Sequence, residues 1–146
     1  EKFQLERLDL ADCIEESYEH MNGLALKHGV ELKVEMPKQE LLVEADAEQL
    51  VRILDNLISN AVRYARHTVW IQVTCADTIT LRVVDDGDGI RESELPHIFE
   101  RSYKGEKGGF GFGLAIAANA ARNMNATLRA GNRPEGGAVF ELGFRN

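Results

Sequence analysis

Apolar residues recur every three or four positions over two long stretches of the chain and alternate with polar ones over several shorter stretches, which predicts helices and strands respectively. Leu10, Cys13, Ile14, Tyr18, Met21 and Ala25 mark one amphipathic helix from Leu10 to Lys27, capped by Asp9 and stopped by Gly29. Strand-like segments follow at 30–36 and 41–45, separated by a turn around Pro37 and Lys38. A second helix starts at Asp46 and runs to about Ala65. Its stripe of Leu50, Ile53, Leu54, Leu57, Ile58 and Ala61 is wide enough to seal against a sheet, while the other face holds Asp55, Ser59 and Arg63. Residues 68–75 and 78–84 read as an antiparallel hairpin turning at Ala76 and Asp77. An alanine-rich third helix at about 113–123 and closing strands at 127–130 and 138–144 complete three helices beside a mixed sheet, with no internal repeat.

The 146 residues fit one compact domain, and a formal net charge of -7 leaves no broad basic footprint for a nucleic-acid partner. Cys13 and Cys75 show no zinc-type spacing and fit a reduced, cytosolic setting. No apolar run approaches the roughly 20 residues that cross a bilayer, so no direct membrane contact is expected. The chain starts at Glu1 without methionine, as a fragment would, and a membrane anchor upstream stays open.

Three constellations carry candidate chemistry. Asn56 and Asn60 lie four apart, so both amides can point into one cavity; an amide oxygen suits magnesium, though taken alone the pair reads as decoration of a solvated helix face. Asp85-Asp86-Gly87-Asp88-Gly89-Ile90 follows a strand, and its glycines let the backbone turn sharply against a flat ligand, with Asp85 as acceptor for an exocyclic amine. An acidic hairpin turn shares that pattern, whereas a calcium loop is disfavoured because its downstream ligands and terminal glutamate are missing. Gly108 to Leu114 opens a helix whose free amides can face phosphate, with Arg101, Lys104 and Lys107 just upstream; a flexible loop with solvated charges is the bland alternative, and no Walker A sequence is present. Seven of the thirteen glycines fall between Asp85 and Gly113, which marks a site-bearing loop rather than a linker.

In this order along the chain, the motifs resemble the catalytic and ATP-binding domain of bacterial sensor histidine kinases, whose fold is shared by the gyrase, Hsp90 and MutL ATPases. The resemblance runs from LERLDLADCIEE to GGAVFELGF and implies a Bergerat fold: an α/β two-layer sandwich in which a mixed sheet of about five strands is covered on one face by three helices. It implies ATP and Mg2+ as cofactors. It makes Asn60 the magnesium ligand, Asn56 its phosphate or metal-shell partner and Arg63 a phosphate contact. Tyr64 then stacks on adenine, and Asp85 reads the adenine amine in a pocket shaped by Gly87, Gly89 and Ile90. Phe99, Arg101, Tyr103 and Lys104 fall in the F box and lid, with Arg101 counted among the catalytic residues. Gly109 joins the nucleotide site, and Gly111, Phe112, Gly113 and Leu114 form the second glycine box. The chain departs from the family pattern at Ser102, at Phe112 and at Ala138, which lacks a hydroxyl that would support adenine recognition, and its lid from Arg101 to Phe110 is short.

Where related ATPases place a glutamate base, this chain has Asn56, and an amide cannot take a proton at neutral pH. The resemblance therefore implies phosphoryl transfer to a histidine on separate dimerisation helices of the same protein, and then to an aspartate of a cognate response regulator. None of His20, His28, His67 or His97 stands in the family's acceptor pattern, so the acceptor is expected outside this chain. The full-length protein is expected to be a homodimer on the cytoplasmic side of a membrane, and this domain, residues 1–146, a monomer. A catalytically weak nucleotide-binding module, or a serine kinase or ATPase of the same fold, is the alternative.

Overall fold

A computed structural model describes residues 3–101 and 111–145, apart from the side chains of Gly111 and Phe112. The elements run β1 (Glu6–Asp9), α1 (Leu10–Lys27), β2 (Glu31–Glu35), β3 (Leu42–Ala45), α2 (Ala47–Tyr64), β4 (Thr68–Cys75), β5 (Ile79–Asp85), a 3-10 turn at Leu95–His97, α3 (Gly111–Asn123), β6 (Thr127–Asn132) and β7 (Ala138–Gly143).

A five-stranded sheet has the order β2-β4-β5-β7-β6, parallel between β2 and β4 and antiparallel elsewhere. Strict alternation sets its faces: Val69, Ile71 and Val73 of β4 and Leu81 and Val83 of β5 are buried beneath the helices. Trp70, Gln72 and Arg82 occupy the alternate positions and look the other way. Helix α2 lies between α1 and α3 and over β4 and β5. All six residues of its predicted stripe are fully buried, so this helix is the spine of the core.

The helix ends follow local chemistry. Asp9 accepts from the Ala11 amide at 3.0 Å, and α1 stops in a Schellman turn: Gly29 adopts φ 70° while the Val30 amide reaches back to the Ala25 carbonyl at 2.8 Å. Helix α3 stops the same way with Asn125 at φ 58° in the glycine position. Asp46 precedes α2 as its N-cap, rather than being its first helical residue.

The structure departs from the sequence expectation in three places. The strand expected at 41–45 does not join the main sheet; it pairs antiparallel with β1, because Leu10 donates to the Leu41 carbonyl at 2.8 Å and Asp9 Oδ1 accepts from the Leu41 amide at 3.4 Å. Helix α3 begins at Gly111, two residues earlier than its apolar spacing suggests. Strand β6 continues to Asn132, where the ladder with Ala138 closes the hairpin.

Asp46 is buried and does two jobs: Oδ1 accepts from the Gln49 amide at 3.1 Å and Oδ2 from the Gln4 amide at 2.7 Å. Asp46→Ala is expected to lower the unfolding free energy by about 1–2 kcal/mol, at the upper end for a helix cap because two donors lose their acceptor. Urea denaturation checks this, and a loss of a few tenths of a kcal/mol or less would contradict it.

Candidate nucleotide-binding site

The turn after β5 rests on the last turn of α2 and on the start of β7, and the start of α3 rests on Asn56 of α2. Their approach is close enough to fix residue type. A Cβ on Gly87 would lie 2.2 Å from the Tyr64 carbonyl oxygen, so only glycine lets this turn rest on the last turn of α2. Gly137, at φ 101°, leaves no room either, since a Cβ there would lie 1.9 Å from the Asp85 carbonyl oxygen. At Gly113 a Cβ would sit 3.5 Å from Asn56 Oδ1, an ordinary contact that places the first turn of α3 against the asparagine face of α2.

Asp85 lies at the centre and is 2 % exposed. Its Oδ1 accepts from the Gly87 amide at 2.8 Å and the Ala138 amide at 3.3 Å, while no donor among the described residues reaches Oδ2. Burial pushes its pKa above the ordinary carboxylate value of 3.8; the two amides and the charge of Arg133 pull it back only in part, and neighbouring Asp86 adds to the rise. The site thus presents one committed and one open carboxylate oxygen.

Asp86 points the opposite way. It accepts from the amides of Arg66 at 2.8 Å, His67 at 3.0 Å and Thr68 at 3.2 Å, binding the α2–β4 connection to the end of β5. Its modest burial raises the pKa, but these amides outweigh that and hold it below the usual carboxylate range. Asp88 pairs with the Arg66 guanidinium. The turn is clasped once more at Ile90, whose amide donates to Asn132 Oδ1 at 2.7 Å while Asn132 Nδ2 donates to the Ile90 carbonyl at 2.7 Å. Gly89, at φ 83°, makes room for this clasp, since a Cβ there would lie 2.7 Å from Asn132 Oδ1.

On α2, Asn56, Asn60 and Tyr64 are half-buried, and the Arg63 guanidinium sits 5.7 Å from the Tyr64 ring centroid. Asp55, beside Asn56, accepts from Ser17 Oγ at 2.6 Å and lies 3.0 Å from His20 Nδ1, which fixes the rotation of α2 against α1. Leu114 is buried in the core, Ile98 is fully buried, and the Phe99 ring stands edge-on to Phe140 at 6.1 Å. Arg101 is exposed. Tyr103, Lys104 and Gly109 lie outside the described residues, as do the side chains of Gly111 and Phe112.

The structure brings Tyr64, Asp85 and Gly87 together, and separately sets Gly113 against Asn56. Sequence reasoning missed Asp86, Asn132 and the Gly136–Gly137 pair, of which only the paired glycines carry a visible signal. Ala138 contributes through its backbone amide, which no side-chain comparison could reveal. Among the described residues no group of three or more His, Cys, Asp or Glu could hold a metal.

Comparison with known proteins agrees with this geometry. The profile of the histidine kinase-, DNA gyrase B- and HSP90-like ATPases matches residues 45–146, and the chain belongs to that family. It is 34 % identical over 149 residues to the sensor histidine kinase MtrB of Mycolicibacterium paratuberculosis, covering 97 % of this chain and 26 % of that protein. It is 44 % identical over 103 residues to the histidine-protein kinase AfsQ2 of Streptomyces coelicolor, covering 66 % of this chain and 19 % of the relative. The chain thus spans about a quarter or less of these relatives. The catalytic domain of histidine kinase ThkA superposes with a TM-score of 0.86 at 23 % identity, covering 97 % of each chain. Full-length ShkA in complex with AMPPNP gives 0.86 at 24 %, covering 99 % of this chain and 31 % of that one. The fold is the Bergerat α/β sandwich.

Because burial raises the folded pKa of Asp85, its ionisation opposes folding: the effect is absent below 3.8, grows as pH rises, and is complete above the raised value. Asp85→Asn keeps an Oδ1 acceptor and removes the charge. Its melting temperature is expected to exceed the parent's at neutral pH and to converge on it as pH falls towards 3.8. A calorimetric gap that stays constant with pH would contradict this. Gly87→Ala, which drives Cβ into the Tyr64 carbonyl, is expected to destabilise the fold by about 2 kcal/mol or more in chemical denaturation.

Proposed function

We propose that this chain binds ATP with magnesium and presents the γ-phosphoryl group to a histidine on the dimerisation helices of a sensor kinase, which passes it to a response-regulator aspartate. The observation that carries this reading is the buried Asp85 carboxylate, whose Oδ2 no donor among the described residues reaches, at a turn that rests on the last turn of α2. A carboxylate so held accepts a hydrogen bond from the adenine amine, and Tyr64 supplies a flat apolar face for the base. The amides at the start of α3 favour phosphate oxygens, together with Arg63, Lys104 and the glycines at 109, 111 and 113. Ile90, Gly89, Phe112 and Leu114 shape the pocket.

Amide donors suit a magnesium ion that takes most of its shell from water and phosphate, with Asn60 as ligand and Asn56 in support. Bound there, the ion would neutralise charge on the phosphates. Arg101 would serve as a catalytic residue and Tyr103 as a nucleotide contact, so catalysis would rest on positioning and charge stabilisation. No base stands at Asn56 to activate water, which favours transfer over hydrolysis. The AMPPNP bound to ShkA, a neighbour in fold, supports a nucleotide ligand. In this reading residues 1–146 form one catalytic domain, monomeric alone, on the cytoplasmic side of a homodimeric sensor; among the described residues no helix is long and apolar enough to cross a membrane.

The test mixes this chain, Mg-ATP and the native upstream helical segment and follows acid-labile phosphohistidine. Transfer is expected, with Asn60→Ala abolishing it and Asp85→Asn weakening ATP binding about tenfold or more. The chain alone is expected to label itself barely. Binding without any transfer would favour a nucleotide-sensing module instead.

A further inference from the structure

The sheet face turned away from the helices carries a groove of about 660 Å3, separate from the nucleotide site. Its residues fall into rows set by strand register. One row, Thr74, Thr80 and Thr127, is polar, as a solvated face should be. The next is a charge ladder across Gln72, Arg82, Glu141 and Arg129, in which Arg82 Nε donates to Glu141 at 2.8 Å. The third breaks the pattern: Trp70, Val84, Val139 and Gly131 stand side by side across four strands as an apolar floor.

Two features make this floor a receptacle. Arg133, from the β6–β7 turn, stacks its guanidinium 4.9 Å from the Trp70 ring centroid and is anchored by Nε donating to the Gly136 carbonyl at 2.6 Å. Gly131 leaves the opposite end open, since nothing lies within 4 Å of where its Cβ would be. The charge is equally one-sided. Three arginines line the groove against two glutamates in a chain of net charge -7, and Arg129, exposed, makes no ion pair or hydrogen bond among the described residues.

We propose that this groove is a docking surface for an acidic, partly apolar segment of a partner protein, which would lay an apolar side chain on Trp70, Val84 and Val139 and carboxylates against Arg129 and Arg133. Charge complementarity selects this occupant: the guanidinium of Arg129, without a partner among the described residues, and that of Arg133, stacked on Trp70, line the same groove as the apolar strip. The surface is independent of the nucleotide reading.

Trp70 is the only tryptophan, so its emission reports the groove directly. The probe is a synthetic peptide alternating glutamate and leucine, titrated into the 146-residue chain at low salt. A saturable emission change is expected, weakened at least tenfold by Arg129→Glu and by Gly131→Phe, which fills the groove from a position with open space, and absent with a lysine-for-glutamate peptide. Circular dichroism of both variants confirms that they keep the fold. No saturable change, an equal response to the lysine peptide, or indifference to both substitutions overturns the proposal. The same emission change on adding inorganic phosphate alone, or on raising protein concentration alone, also overturns it, reassigning the groove to small anions or to a second copy of the chain.

Discussion

A carboxylate with 2 % exposure cannot be charged without help, and much of this structure is arranged around giving Asp85 just enough of it. Two backbone amides serve one oxygen, the charge of Arg133 offers distant support, and the second oxygen has no donor among the described residues. More donors would make the group comfortable and useless. A site of this kind gains most when a ligand brings the missing hydrogen bond, so part of the binding energy is relief of a penalty already built into the empty fold.

That arrangement explains where glycine is required. Gly87 brings the turn onto the Tyr64 carbonyl, Gly137 brings β7 onto the Asp85 carbonyl, and Gly89 admits the Asn132 amide. At the first two, backbones approach too closely for any side chain; at Gly89 the close neighbour is the Asn132 side chain. The adjacent aspartates divide the work: Asp85 faces the interior, and Asp86 gathers three amides between α2 and β4 and stays ionised easily. The motif spacing singles out Asp85, but nothing in the sequence reveals that Asp86 gathers these amides.

The legible parts of the fold were those governed by local periodicity. The α2 stripe, the alternation in β4 and β5, the Asp9 cap and the Gly29 stop depend on neighbours within a turn or two. The motif residues Asn56, Asp85, Gly87 and Gly113 could be matched to a family pattern, and the structure pairs Gly87 with Asp85 and Gly113 with Asn56. What stayed hidden was set by distant partners: β3 seeking β1, Asn132 clasping Ile90 across 42 residues, and Ala138 donating through a backbone group that every residue but proline possesses. The absent hydroxyl at Ala138 was visible in the sequence, but the amide that remains there was not.

The bond from the Ala138 amide to Asp85 spans 53 residues and arrives on the penultimate strand of the sheet order, yet the last strand of the chain. During synthesis the pocket floor therefore cannot be finished when β5 leaves the ribosome. Until β7 follows and inserts between β5 and β6, β5 is an edge strand whose terminal Asp85 has only the Gly87 amide as donor among the described residues. A nascent chain interrupted before residue 138 has all three helices but lacks the Ala138 amide, so the surroundings of the Asp85 carboxylate are completed only once β7 has been made.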